Sequence, residues 1–243
     1  MDPAARCLER VVAISRARQD ARGEASGLTR LGWVRQRQED LYGALDALRR
    51  ALAIRERGGD PKALAATLRT IGLVHEEMGA LSEAREEQAR ALALSDAAGD
   101  ASGSASALGN LGGIAWRTGE YAVSLGYQER ALALLETLGD IGRTGTTLAN
   151  LGIVYQRLGA QDRALSCYER SLSRLDAVGD RVRAATVLCN LGALYASLDE
   201  TDRALGYLER ARTTSEAAGD RAGVAAALAN EGYLHARLGN TEE

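Results

Sequence analysis

The stretch that decides the fold is residues 140–159, Asp-Ile-Gly-Arg-Thr-Gly-Thr-Thr-Leu-Ala-Asn-Leu-Gly-Ile-Val-Tyr-Gln-Arg-Leu-Gly. Its large apolar residues recur at spacings of three and four, which is typical of one face of an α-helix: Leu148, Leu151, Val154, Tyr155 and Leu158. Asp140 suits the N-cap, because its carboxylate can accept hydrogen bonds from the first backbone N–H groups. Gly159 suits the left-handed position that follows a helix. The stretch therefore predicts one helix with both ends marked.

A second helix is predicted directly afterwards, from about Gln161 to Val178. One of its sides is apolar and consists of Ala164, Leu165, Tyr168, Leu172 and Leu175. Gly179 ends this helix in the same way as Gly159 ends the first. Two helices joined by so short a turn form an antiparallel hairpin.

The hairpin repeats along the chain with a period of 40 residues and no insertion. A Gly-Asp pair recurs at residues 59–60, 99–100, 139–140, 179–180 and 219–220. A glycine column contains Gly32, Gly72, Gly112, Gly152, Gly192 and Gly232. A leucine column contains Leu28, Leu68, Leu108, Leu148, Leu188 and Leu228. A fixed period indicates stacked units that pack only on their neighbours. We expect small residues of the second helix, such as Ala44 and Ala164, to face the glycine column.

The pattern Leu148-x2-Leu151-Gly152-x2-Tyr155, followed by Ala164-x3-Tyr168, resembles the tetratricopeptide repeat. The unit is longer than the usual ~34 residues, and it lacks the proline that commonly ends the second helix. This long form is similar to the repeats of the Pins/LGN polarity adaptors, of kinesin light chains and of bacterial signalling proteins. The resemblance implies an all-α fold, an α-solenoid of antiparallel helix hairpins in a right-handed superhelix.

The 40-residue period divides residues 1–243 into a single array of repeats that begins and ends on half units. The full units are expected at residues 20–58, 60–98, 100–138, 140–178 and 180–218. The half units are a second helix at 4–18 and a first helix at 220–238. We therefore expect a fragment of a longer protein whose two terminal helices expose apolar flanks, with end-to-end self-association as a consequence.

Composition and charge exclude several classes of partner and site. The net charge is −3 and no basic stripe is present, which argues against a nucleic-acid partner. No apolar run approaches the ~18 residues of a membrane helix. Cys7, Cys167 and Cys189 lack CxxC spacing, which fits a reducing, cytoplasmic location. Almost every basic residue is arginine, a bias that we interpret as bacterial.

An asparagine column is the main candidate binding site, with Asn110, Asn150, Asn190 and Asn230 on successive first helices. The resemblance places first helices on the concave wall of the solenoid. A side-chain amide carries both donors and an acceptor, so it can bind a peptide backbone whatever the side chains of the peptide. The resemblance to peptide-binding tetratricopeptide proteins implies such a ladder. The structural alternative is that each asparagine bonds the backbone of a neighbouring repeat.

Arginines flank the asparagine column at spacings of seven, which keep them on the same helix face. They are Arg117, Arg157, Arg237, Arg143 and Arg183. These positions predict a polar, net basic groove that favours an acidic protein or peptide partner. The alternative is a solvated face in which the arginines pair with nearby carboxylates.

Nothing in the sequence indicates an enzyme, a catalytic residue, a cofactor or a metal site. His75 and His235 stand in the column of Tyr155, without a cluster of metal-ligating residues around them. Glu231 interrupts an otherwise apolar column. The sequence therefore predicts a protein–protein interaction scaffold. The alternative is a regulatory region of a larger bacterial signalling protein, such as a STAND-type NTPase, a transcriptional activator, a kinase or a CHAT-type protease.

Overall fold

The computed structural model describes residues 3–237 and residue 239, which form twelve α-helices in two compact units. Unit 1, up to Gly119, contains α1 (Pro3–Ala17), α2 (Ala21–Arg37), α3 (Leu41–Gly58), α4 (Pro61–Glu77), α5 (Leu81–Ala97) and α6 (Ala101–Arg117). Unit 2, from Glu120, contains α7 (Tyr121–Leu138), α8 (Ile141–Arg157), α9 (Gln161–Ala177), α10 (Arg181–Ser197), α11 (Thr201–Ala218) and α12 (Arg221–Arg237). The predicted end of the last half unit at residue 238 lies outside the described residues.

Within each unit, every helix packs against the next one along the chain. All regular elements between residues 3 and 237 are helices, which confirms the predicted all-α solenoid of helix hairpins. The even-numbered helices correspond to the first helix of a repeat, and we call them the first helices. The odd-numbered helices are the second helices. The predicted asparagine and arginine columns lie on the first helices.

The helix ends follow from the residues that the sequence places there. Six helices begin after an aspartate whose carboxylate accepts a hydrogen bond from a backbone N–H of the first turn: Asp20, Asp40, Asp60, Asp100, Asp140 and Asp180. Gly159 follows α8 with φ of 75°, as predicted. Gln19, Glu39 and Asp199 hold the same left-handed conformation without being glycine. The turn geometry is therefore imposed by the packed helices even where the local residue does not favour it.

The glycine column packs against large residues, and the prediction of small facing residues is wrong for the nearest contact. A Cβ on Gly152 would lie 2.4 Å from Cε1 of Tyr168, and one on Gly192 would lie 2.7 Å from Cγ of Leu208. Gly32 has the same relation to Leu48. Ala44 contributes only its backbone oxygen, 3.2 Å from the Cβ position on Gly32. The missing glycine side chain thus makes room for a buried side chain one helical turn beyond the alanine.

Each unit has its own apolar core between helices. In unit 1, Leu28, Leu48 and Ile71 are at most 1% exposed, and in unit 2 the same is true of Tyr168 and Leu191. Burial differs at the last described helix, where α12 buries only Ala227 and Leu234. No helix in the described part of the chain has the length and apolar character required to cross a membrane.

Two residues of α12 differ from the other members of their columns. Leu228 differs in burial, and Glu231 differs in residue type. Leu228 is 50% exposed, although its equivalents in the leucine column from Leu28 to Leu188 are buried. Glu231 takes the place of a buried apolar residue, and its carboxylate Oε1 lies 3.9 Å from Nε of Arg212 on α11. The charged Glu231 therefore lies on a helix that buries few of its residues.

Candidate functional site

Three of the four predicted asparagines lie on the first helices of unit 2. Asn150 is on α8, Asn190 on α10 and Asn230 on α12, at equivalent positions of the repeat. All three side chains are half-buried, and none forms a hydrogen bond with another described residue. The structural alternative requires a bond from each amide to the backbone of a neighbouring repeat, and no such bond is present among the described residues. In unit 1, Asn110 on α6 is also half-buried, without a hydrogen bond from its side chain to the described residues.

Arg143 and Arg183 pair with the aspartates that cap their own helices. Nε of Arg143 donates to Oδ2 of Asp140 at 2.7 Å, and Arg183 forms an ion pair with Asp180. The backbone N–H of Arg143 also donates to Asp140. These hydrogen bonds lower the pKa of the Asp140 carboxyl, so the pair remains charged in mildly acidic solution.

Arg117 and Arg237 pair with residues of the preceding first helix or of the turn that follows it. Nη1 of Arg117 donates to Oε1 of Glu76 at 3.1 Å, and Arg237 forms an ion pair with Asp199. Arg157 is exposed and forms no ion pair with a described residue. The predicted basic row is therefore neutralised at four of its five arginines, and Arg157 contributes the remaining positive charge.

Apolar side chains lie one turn beyond the asparagines on the same helices. Ile153 of α8 is half-buried, and Tyr233 of α12 is 68% exposed. Each precedes an arginine by four residues, Arg157 and Arg237 respectively, so the three positions follow one helix face. A chain laid along this face of unit 2 would meet an amide, an apolar side chain and then an arginine at α8 and α12.

Trp33 of unit 1 belongs to the same column as Ile153, and the sequence analysis missed it. The indole is 53% exposed on α2, and the Arg37 guanidinium lies 5.1 Å from its ring centroid. Leu73 at the equivalent position of α4 is 38% exposed. The repeat register was sufficient to find this column, because both residues differ from Ile153 by multiples of 40 positions.

The histidines and cysteines do not assemble a metal centre in the described part of the chain. No group of three or more His, Cys, Asp or Glu side chains there has the arrangement to hold a metal ion. His75 is buried in unit 1, as expected for a residue in the column of a packed tyrosine. Cys167 and Cys189 are buried free thiols, and burial raises the pKa of each.

Several solved structures share this fold. BtubC (BKLC) from P. vanneervenii is 24% identical and superposes with a TM-score of 0.75, covering 87% of this chain and 92% of that one. A Rap protein complexed with Competence and Sporulation Factor is 14% identical, with a TM-score of 0.70 over 88% of this chain and 66% of that one. The STAND protein with a tetratricopeptide repeat sensor from Pyrococcus horikoshii is 16% identical, with a TM-score of 0.79 over 96% and 34%. Identities this low show a common fold.

Sequence comparison gives the family. A comparison with curated proteins found no match. Two models of the tetratricopeptide repeat match, one over residues 23–97 and 103–177 and the other over residues 184–218. Because these matches cover well over half of the sequence, the chain belongs to the tetratricopeptide repeat family.

Proposed function

We propose that this chain is a non-catalytic protein–protein interaction scaffold that binds an extended segment of a partner protein along its first helices. One observation carries the proposal: Asn150, Asn190 and Asn230 are spaced one repeat apart with half-buried amides that form no hydrogen bond to the described residues. These amides therefore keep hydrogen-bonding capacity that no described residue uses. A peptide backbone could satisfy both the donor and the acceptor of each amide.

The amides alone supply too little free energy for tight binding. Each amide–backbone hydrogen bond contributes about 0.5–1.5 kcal/mol, so the three amides give roughly 2–4 kcal/mol with one bond each and roughly 3–9 kcal/mol with two. Association costs about 4–15 kcal/mol in lost freedom of motion. The remainder must come from Arg157 and from apolar contacts at Ile153 and Tyr233. We therefore expect a partner segment with an acidic residue and an apolar anchor, and an affinity in the micromolar range.

The test is the double variant Asn150→Ala and Asn190→Ala, assayed against a partner captured with this chain from its native cytoplasm. Losing one hydrogen bond at each of the two asparagines, at about 1 kcal/mol each, should weaken binding about 30-fold. Isothermal titration calorimetry gives the dissociation constants, and circular dichroism verifies that the variant folds.

A matched control is Thr146→Ala with Thr186→Ala, on the same two helices. Both hydroxyls already donate to carbonyl oxygens of their own helix, Gly142 and Val182, so they have little to offer a ligand. The control should bind like the parent chain. If the asparagine variant also binds like the parent, the asparagines are not the ligand contacts and the partner docks on another surface.

A second function within the same family is a regulatory region that senses a partner and restrains a linked enzyme or DNA-binding domain. The likeness to the STAND protein with a tetratricopeptide repeat sensor favours this alternative, because 96% of this chain superposes on 34% of that protein. We propose that the linked domain, if present, is a STAND-type NTPase, a transcriptional activator, a kinase or a CHAT-type protease of bacterial signalling. The full gene sequence distinguishes the two functions.

Self-association is a further expected property, because exposed apolar side chains lie on both α1 and α12. Val11 and Ile14 are 47% and 50% exposed on α1, and Leu228 and Tyr233 are exposed on α12. We expect the mass measured by light scattering to rise with protein concentration. Leu228→Glu should reduce this rise, whereas Val123→Glu, at an exposed apolar residue of α7, should not. A constant monomer mass for the parent chain would contradict the expectation.

A further inference from the structure

A cleft of about 450 Å³ lies in unit 1 between the first half of α2, the end of α3 and the start of α4. Its polar lining comes from Arg22, Ser26, Arg55 and Asp60, and small side chains such as Ala25 and Ala63 complete the wall. The volume falls within the range of small-molecule sites. The cleft is separate from the asparagine column, which begins on α6.

Arg55 lines this cleft and is held in place by hydrogen bonds. Its Nη1 donates to the backbone oxygen of Ala63 at 3.1 Å and also bonds Oγ1 of Thr67, which is fully buried. Burial lowers the pKa of the Arg55 guanidinium, and the nearby Asp60 carboxylate opposes that shift. The cation is therefore partly desolvated, and Nε and Nη2 are not engaged by a described residue.

Comparison with the other repeats shows that the positive charges here are departures from the pattern. The column of Arg55 otherwise contains small or apolar residues: Ser15, Ser95, Leu135, Leu175 and Ser215. The column of Arg22 contains Lys62 and then four uncharged residues: Ser102, Gly142, Val182 and Ala222. Arg55, Arg22 and the only lysine of the chain therefore coincide around one cleft. Packing does not require them, because serine fills both columns elsewhere.

The carboxylates near the cleft only partly balance these cations. Asp60 offsets one positive charge through its electrostatic interaction with Arg55, and its Oδ1 also accepts from the backbone N–H groups of Lys62 and Ala63. Glu24 and Glu56 pair with arginines outside the cleft, Arg16 and Arg90. Arg22 and Lys62 are exposed, and neither forms an ion pair with a described residue. The surroundings of the cleft therefore carry a surplus of positive charge.

We propose that this cleft binds a small molecule through an oxyanion group, either phosphoryl or carboxylate. Arg55 would bind the oxyanion through its unengaged guanidinium N–H groups, because the guanidinium fork matches both oxyanions. Arg22 would contact it from the cleft wall, and the Ser26 hydroxyl would add a hydrogen bond. The apolar wall would accept the uncharged part of the ligand.

The experiment uses the whole chain with pyrophosphate and tricarballylate as probes, at an ionic strength held constant with sodium chloride. Isothermal titration calorimetry compares the parent chain with Arg55→Ser, Arg22→Ser and Arg57→Ser. Arg57 is exposed on the same helix but does not line the cleft, so its variant matches the change in net charge. Serine occupies both test columns in other repeats, and circular dichroism verifies folding. If Arg55→Ser does not fold, Arg22→Ser carries the test.

We expect Arg55→Ser and Arg22→Ser each to weaken binding about tenfold, since each removes a charge-assisted contact. Arg57→Ser should bind like the parent. The probe that binds more tightly assigns the ligand as phosphoryl or carboxylate. Equal weakening by all three variants would show that the net charge of the chain, and not a contact in the cleft, determines probe binding. That result would overturn the proposal. Failure of both probes to bind at millimolar concentration would overturn it as well.

Discussion

Replacing Gly152 with leucine should lower the free energy of unfolding by about 3 kcal/mol, because the added side chain overpacks a filled core. A Cβ alone would lie 2.4 Å from the ring of Tyr168, which is fully buried and cannot swing into solvent. The measurement is urea denaturation followed by circular dichroism, with the slope of the transition compared between variants.

Gly232→Leu is the matched control, from the same column of the repeat. Outside its own helix, no described residue lies within 4 Å of a Cβ at Gly232, so the new side chain meets open space among the described residues. Leucine also favours a helix over glycine by ~1 kcal/mol. This variant should be neutral or slightly more stable. Equal losses at both glycines would mean that contact with Tyr168 does not determine the result.

Replacing Leu208 with glutamine should cost about 2–4 kcal/mol. Leu208 is 1% exposed and lies over Gly192, so the substitution removes buried apolar contacts and places an amide oxygen among apolar atoms. Gln88 occupies the equivalent position in unit 1. Its Nε2 donates to the backbone oxygen of Arg69 at 3.0 Å, but its Oε1 is buried without a hydrogen bond to the described residues.

The reverse substitution, Gln88→Leu, should therefore stabilise the chain by about 1 kcal/mol, since it removes a buried acceptor that lacks a bond. Thermal and urea unfolding of the two variants give the comparison. We therefore expect the free energy of unfolding to fall in the Leu208 variant and to rise in the Gln88 variant, although the two residues share one column of the repeat. A loss of stability in Gln88→Leu would show that the Gln88 amide is satisfied in solution and contributes to the core.

The sequence was sufficient for the helices because the apolar spacing marks each helix and many of the helix ends are marked by a local signal. Asp140 caps its helix through the backbone N–H of Arg143, and Gly159 takes the left-handed conformation. The neighbours of Gly152 could not be read in the same way, since contact depends on how two helices cross. The alanine and the large residue one turn later were both on the correct side of the second helix, and only packing distinguished them.

The candidate site, too, could be predicted from the sequence only in part. The asparagine column and its arginines follow from the register, but the charge state of the groove depends on partners. Arg143 pairs with an aspartate three residues away, which the sequence could have revealed. Arg117 pairs with Glu76, 41 residues earlier, and this contact depends on how α4 and α6 lie side by side. The unbonded state of the Asn150 amide likewise required the surrounding atoms to be placed.

The sparse burial of α12 has a consequence for the dynamics of unit 2. Because α12 buries only Ala227 and Leu234, we expect it to detach from α10 and α11 while α8, α9 and α10 remain folded. Local opening of a segment with few buried contacts needs much less free energy than global unfolding. Asn230 and Tyr233 would leave the binding face in that open state, whereas Asn150 and Asn190 would stay in place. A ligand that contacts all three asparagines would therefore slow the opening of α12, and its residence time would be coupled to that motion.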